Sequence, residues 1–231
     1  VLITTPKGHF LIDGGLPPSA EVIKPNIHAL GFDVLDVEWL LNSHAHYDHA
    51  GGLASLQRMS GAPIAASSKT LKALELSHAL PDDPQYATDN TMAFPAVASV
   101  RTIRDGETLA LGGVTVTAHD TPGHAPGGNS WSWESCEAGK CITIVFADSL
   151  NPVSEPDYRF SDHPAYLTAF RQSIAKVRAL DCDILVSAHP EFSNLFERAA
   201  AGSLVDANGC RKYADAAEAR LDKRLAQETA E

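Results

Sequence analysis

The sequence predicts an α/β domain in which helices cover sheets. Short strand-like runs alternate with segments of helical apolar spacing along the whole chain. No linker and no repeat divides it. The second half repeats a scheme of strands followed by a helix and a strand, which predicts two similar halves. A chain of 231 residues then suits a single domain, 1–231, with ample core.

The elements follow in order. Strands are predicted at Val1–Thr5 and His9–Asp13, separated by the turn residues Pro6-Lys7-Gly8. A helix over Ser19–Leu30 follows, with Pro25 expected to kink it. Val37–Asn42 reads as a buried strand running into Ser43–Gly52, and a helix continues to Met59. Pro63–Ala66 is a short strand, and Ser67 or Ser68 caps a helix over Lys69–His78. Residues 79–96 form a polar loop of a length that suggests a binding role. Strands near 100–104, 108–111 and 113–119 precede a hairpin over 129–147 and a second long loop, 148–163. A helix after Asp162 places Tyr166, Phe170, Ile174, Val177 and Leu180 on one face. Asp183–Ser187 is a strand, and helical stretches at 191–201 and 211–228 close the chain. The last has a thin stripe (Ala214, Ala217, Leu221, Leu225) and is expected to pack on the surface.

Composition excludes some functions. Lys and Arg total 18 against 29 Asp and Glu, a formal net charge of −11, which disfavours a nucleic-acid partner. No apolar run approaches the roughly 18 residues of a membrane span. Four cysteines allow two bridges. Cys136 and Cys141 flank a turn between strand-like segments, at a spacing within disulfide reach, which leaves Cys182 and Cys210 as the second pair. The other reading is four reduced thiols. Bridges would imply an oxidising compartment. The chain opens Val1-Leu2-Ile3-Thr4-Thr5-Pro6 without leader character, so an exported protein would carry its leader elsewhere.

The chemistry concentrates in the histidines, ten in all. Ser43-His44-Ala45-His46-Tyr47-Asp48-His49-Ala50-Gly51-Gly52 packs three imidazoles and a carboxylate just past a strand end. These donors suit zinc and similar divalent metals. In extended backbone His44 and His46 point the same way and can share one ion, while Asp48 and His49, beyond the turn into a helix, can serve a second. Thr121-Pro122-Gly123-His124-Ala125-Pro126-Gly127-Gly128 and Ser187-Ala188-His189-Pro190 each put one more histidine after a strand, where open sheets gather ligands. Together they complete two sets of three. His9, His28, His78, His119 and His163 lack such a setting and read as structural.

These segments resemble the metallo-β-lactamase fold superfamily, whose hallmark is His-x-His-x-Asp-His. Within it the chain is most similar to the third subclass of metallo-β-lactamases, in which Asp, His and His hold the second metal. The likeness includes Ile12-Asp13-Gly14-Gly15, Asn42–Gly52, Gly123–Trp131, Ala147-Asp148-Ser149-Leu150, His189-Pro190 and Tyr213–Glu218. The resemblance implies a four-layered αβ/βα sandwich of two mixed sheets flanked by helices. It implies two Zn²⁺ per chain, the first held by His44, His46 and His124 and the second by Asp48, His49 and His189. It also implies hydrolysis of the β-lactam ring of penicillins, cephalosporins and carbapenems by a metal-bound hydroxide that Asp48 orients.

Further expectations come with the resemblance. They are antibiotic resistance, a bacterial periplasmic or secreted location, a monomer with a small-molecule substrate, and bridges Cys136–Cys141 and Cys182–Cys210. Family members have more strand ahead of Val1. Two readings of the 148–151 segment stay open. In other hydrolases of the fold an aspartate, here Asp148, bridges both metals. In the β-lactamase subclass a serine, here Ser149, faces them, and this reading is favoured. Ser149 and Asn151 would then bind the substrate carboxylate, and Gln85 would contact the water or substrate. The alternative function is another metal-dependent hydrolase of the fold, a lactonase or glyoxalase-type thioesterase.

Overall fold

The computed structural model describes residues 1–89 and 93–230, so Asn90, Thr91 and Met92 of the 79–96 segment lie outside the described residues. Strands β1 (Leu2–Thr5) and β2 (Gly8–Ile12) pair as a hairpin. After helix α1 (Ala20–Ala29), β3 (Val37–Leu41) joins β2 in parallel. Helices α2 (Tyr47–Ala50) and α3 (Leu53–Ser60) lead to β4 (Ile64–Ala66). Helices α4 (Ser68–Leu76) and α5 (Tyr86–Asp89) lead to β5 (Val100–Thr102), and the sheet order is β1-β2-β3-β4-β5.

The second sheet comprises β6 (Thr108–Leu111), β7 (Val114–Asp120), β8 (Asn129–Glu137), β9 (Lys140–Ala147) and, beyond α6 (Pro164–Ala179), β10 (Ile184–Ser187). Its order is β10-β9-β8-β7-β6, with β9 and β10 parallel and the other neighbours antiparallel. Helices α7 (Leu195–Ala200) and α8 (Gly209–Glu228) complete the chain. The two sheets are therefore mixed, as the resemblance implies. Among the described residues no helix is long and apolar enough to cross a membrane.

The layering follows from side-chain alternation along the strands. Phe10, Ile12, Leu41 and Ala65 of the first sheet meet Val116, Trp131 and Phe146 of the second in a central core. The intervening Leu11, Leu40, Ile64 and Ala66 face an outer core with α1, α3 and α4 residues such as Ile27, Leu56 and Leu74. Val145, Ala147 and Leu185 face the opposite outer core with Phe170, Ile174 and Val177 of α6 and Tyr213, Ala214 and Leu221 of α8.

The helices differ from expectation in one detail. The helix foreseen through Met59 is divided at Gly51-Gly52 into α2 and α3. There the Gly52 amide donates to Gly15 O (3.1 Å), and a Cβ on Gly52 would lie 2.2 Å from Gly14 O, so the two backbones touch. Pro25 lies inside α1 as expected, and the helix closes with the Leu30 amide on Asn26 O at 3.2 Å. Helix α8 packs through the expected stripe, with Cys210, Tyr213, Ala214, Ala217 and Leu221 buried and Arg211, Lys212 and Asp215 exposed. Its alanines allow close approach to α6, which a stripe judged by apolar bulk underestimates. Disulfides join Cys136 to Cys141, directly opposite in the β8–β9 hairpin, and Cys182 to Cys210, which ties α8 to the approach to β10.

Candidate metal centre

Strands β2, β3, β7, β9 and β10 all end on the same edge of the sandwich, and the segments leaving them build the site. His44 and His46 follow β3, and His46 flanks the start of α2, which carries Asp48 and His49. His124 lies in the loop after β7. Ser67 Oγ and Thr70 Oγ1, at the start of α4, both donate to Gly127 O (2.8 and 2.9 Å) and fasten that loop to the first half. Ser173 Oγ of α6 holds its other side through Pro122 O (2.6 Å). His189 follows β10.

Donor atoms from His44, His46 and His124 all lie within 4.8 Å of one another, and all three residues are buried. Their rings stand nearly perpendicular, with centroids 4.6 Å apart for His44–His46, 5.0 Å for His44–His124 and 4.9 Å for His46–His124. A second triangle is formed by Asp48 Oδ2, His49 Nε2 and His189 Nε2, with sides of 3.4, 3.2 and 3.6 Å. Tetrahedral bonds of about 2.0–2.1 Å to zinc place donors about 3.3 Å apart, so this triangle has the size that such an ion needs. His44 and His49 link the sets, their ring centroids 4.1 Å apart.

Four of the histidines are held by a second partner. His44 Nδ1 meets Asp148 Oδ1 at 2.7 Å, His46 Nε2 meets Asp83 Oδ2 at 3.0 Å, and His49 Nδ1 meets Asp13 Oδ2 at 3.0 Å. His124 Nδ1 donates to the backbone carbonyl of Asn151 (2.9 Å). Such partners fix tautomer and ring direction in metal sites. His44 Nε2 is left buried with no hydrogen-bond partner, the state of a ligand nitrogen facing an ion. The residues therefore fit a metal.

Electrostatics agree with that fit in the first triad, whereas His49 would have to release a proton on binding an ion. Burial and the neighbouring rings push His44 and His124 well below the ordinary imidazole value, so both are neutral donors. Burial also disfavours charge on His49, but its bonds to Asp13 and Asp48 prevail and raise it to about 10. Asp48 is driven far below the usual carboxylate range, since its bond to His49 and the charges of His49 and His189 outweigh burial. Burial raises Asp148 to about 8.

Asp13 is the hub of the first half. Its backbone adopts a left-handed φ of 60°. Its carboxylate accepts from Asn42 Nδ2 (3.0 Å), Ser43 N (2.8 Å) and Ser43 Oγ (2.7 Å) as well as contacting His49. The Asp13-Gly14-Gly15 segment is visible in the sequence, but its role is not. Asp83 carries no sequence signal at all.

A cavity of about 440 Å³ opens over both triads, lined by His46, Asp48, His124 and His189. Ser149, Asn151 and Gln85 line it too, whereas Asp148 is fully buried behind His44. The Asn151 amide donates to Ser149 Oγ (3.2 Å), and Gln85 Nε2 is buried without a partner. Tyr47, Leu16, Val153, Glu191 and Phe192 complete the wall and were not foreseen. Of the other histidines, His9 packs on Phe32, His119 bonds Ser132 Oγ (2.7 Å) and His163 stacks on Tyr158, all away from the cavity.

Comparison with known proteins agrees with this geometry. Residues 1–189 match the family model of the metallo-beta-lactamase superfamily. The solved Rm3 metallo-beta-lactamase is 48% identical, with a TM-score of 0.94 over 99% of this chain and 87% of that one. MEM-A1, a subclass B3 metallo-beta-lactamase from a soil metagenome library, is 46% identical, with a TM-score of 0.93 over 99% of this chain and 89% of that one. Among curated relatives, a hydroxyacylglutathione hydrolase of Anaeromyxobacter dehalogenans is 31% identical over 143 residues, 55% of this chain and 47% of the relative. The chain spans about half or less of the length of the curated relatives it matches. Two donor triads at one edge of an αβ/βα sandwich, a match over most of the chain and near-complete overlap with subclass B3 structures place this protein in the metallo-β-lactamase superfamily, beside its B3 members.

Proposed function

We propose that the protein hydrolyses the β-lactam ring with two zinc ions and so confers antibiotic resistance. The observation that carries this reading is the convergence of two triads on one cavity, in a chain 48% identical to a metallo-beta-lactamase over 99% of its length. His44, His46 and His124 would hold the first ion, and Asp48, His49 and His189 the second. Zinc bound there would supply Lewis acidity, acidifying water toward neutral pH and polarising the lactam carbonyl. Asp48, kept ionised by His49 and His189, orients the attacking water by accepting its hydrogen bond through the carboxylate. Ser149 Oγ takes the Asn151 amide as donor and keeps its own hydrogen for the substrate carboxylate. Gln85 Nε2 offers a second donor to substrate or water. All six ligands come from one chain, which suits a monomer. The two disulfides suit an oxidising compartment such as the bacterial periplasm.

A second reading, thioester or lactone hydrolysis, rests on the hydroxyacylglutathione hydrolase relative. It calls for Asp148 between the metals. The observed bond from Asp148 Oδ1 to His44 Nδ1, on the far side of the ring from the orphaned Nε2, favours the β-lactam reading. The test is hydrolysis of a chromogenic cephalosporin and a carbapenem, with a thioester in parallel. Turnover of the β-lactams should stop with chelator and return with zinc. Turnover of the thioester alone, or β-lactam turnover indifferent to chelator, would overturn the reading.

A further inference from the structure

The cavity rim is lopsided in charge. Glu191 stands two residues beyond His189, its side chain 66% exposed and its Oε1 3.8 Å from His189 Nδ1. Leu16 and Val153 give the rim an apolar surface, 44% and 46% exposed, and Phe192 lies beside Glu191. No Lys or Arg lines the cavity among the described residues. Arg220 stacks on the Phe192 ring with Nε and Nη2 buried and does not line the cavity. An exposed carboxylate and exposed aliphatic surface lining one cavity make the environment that an organic cation seeks. Such a group has a positive charge, an apolar skin and little capacity for hydrogen bonding. An anionic substituent at the same place meets repulsion that no Lys or Arg of the rim offsets.

We propose that Glu191 is a specificity-determining residue that favours β-lactams carrying a cationic substituent, such as a quaternary ammonium or pyridinium group, over neutral or anionic counterparts. This rests on the β-lactamase reading and narrows its substrate class. Opposite charges a few ångströms apart at an exposed site are worth about a three- to fivefold preference. Rising salt diminishes it.

The test uses three cephalosporins with the same nucleus and acylamino side chain, differing only in a cationic, neutral or anionic 3-substituent. Their kcat/KM values are measured with zinc-loaded wild type, Glu191→Gln and Glu191→Lys, and the metal content of each protein is recorded. The cationic-to-neutral quotient should fall about three- to fivefold in Glu191→Gln and further in Glu191→Lys. The wild-type quotient should shrink at about 0.5 M salt. Equal quotients in all three proteins overturn the proposal. So does a uniform loss across the substrates together with lost metal, which would assign Glu191 to holding His189. Absence of any β-lactam turnover by zinc-loaded wild type overturns the parent reading as well, and is distinguished because no quotient then exists.

Discussion

Asp148 acts on the site through a single bond, Oδ1 to His44 Nδ1 at 2.7 Å, in a pocket from which water is excluded. With Asp148 ionised, that bond would keep the proton on Nδ1 and leave the orphaned Nε2 to face an ion. An ion on His44 would favour the ionised carboxylate against the burial that raises it, and Asp148→Asn removes that charge while preserving the shape. It should weaken metal binding about ten- to hundredfold, read by competition with a chromogenic chelator. Unchanged affinity would deny Asp148 this role. The donors themselves were legible because imidazole and carboxylate at such spacing have few other uses. Their supports were not, because the pairing of Asp83 with His46 or Asp13 with His49 joins residues far apart in sequence. The choice between Asp148 and Ser149 was likewise tertiary. Adjacent residues point opposite ways, and Tyr213 on α8 fixes which is which. Its hydroxyl donates to Asp148 O (2.9 Å) and accepts from Leu150 N (3.3 Å).

The C-terminal end of α8 secures the loop that carries Ser149, Asn151 and Val153. Arg224 Nη2 donates to Ser154 Oγ (2.8 Å) and Tyr158 O (2.6 Å). The buried Glu228 carboxylate accepts from Phe160 N (3.0 Å), Ser161 N (2.9 Å) and Arg224 Nε (2.8 Å). Burial opposes this charge, but the three donors hold its pKa below the ordinary value. Glu228→Gln should cost about 2 kcal/mol at neutral pH, since it loses charge-assisted bonds and sets an amide against backbone donors. The folded-state pKa is depressed, so the wild-type advantage is complete well above the unfolded value of about 4.3 and fades as pH falls through the folded one. Denaturant melts of both proteins between pH 7 and pH 3 check this, and a constant difference would refute it. The helix and its packing stripe were readable from spacing, and its partner α6 was not. Ala214 and Ala217 add little apolar bulk, and their value lies in letting α8 approach α6, which no single-helix pattern reports.

At the scale of the molecule, the donors divide between the halves. His44, His46, Asp48 and His49 follow β3 of the first sheet, while His124 and His189 follow β7 and β10 of the second. Each triad takes donors from both, so any ion bound there joins the two sheets at the edge where the central core of Phe10, Leu41, Trp131 and Phe146 ends. Among the described residues, protein bonds across this edge include Asn129 N to Ser43 O (2.8 Å), the pair on Gly127 O, and His44 Nδ1 to Asp148 Oδ1 (2.7 Å). Without metal, clustered imidazoles meet across the same gap and each disfavours charge on the next. Metal should therefore stabilise the whole domain beyond its own loops. Free zinc at about a hundred times its dissociation constant adds about 2.7 kcal/mol. For a chain of this size that raises the melting temperature by about 5–10 °C. Calorimetry of chelator-stripped and zinc-restored protein measures the shift. Hydrogen exchange adds the spatial signature, because a staple across the halves slows exchange in β3 and β10 together. A zinc effect confined to residues 43–52 would mean that the ion serves only its own loop, and that the two sheets are held by their shared core alone.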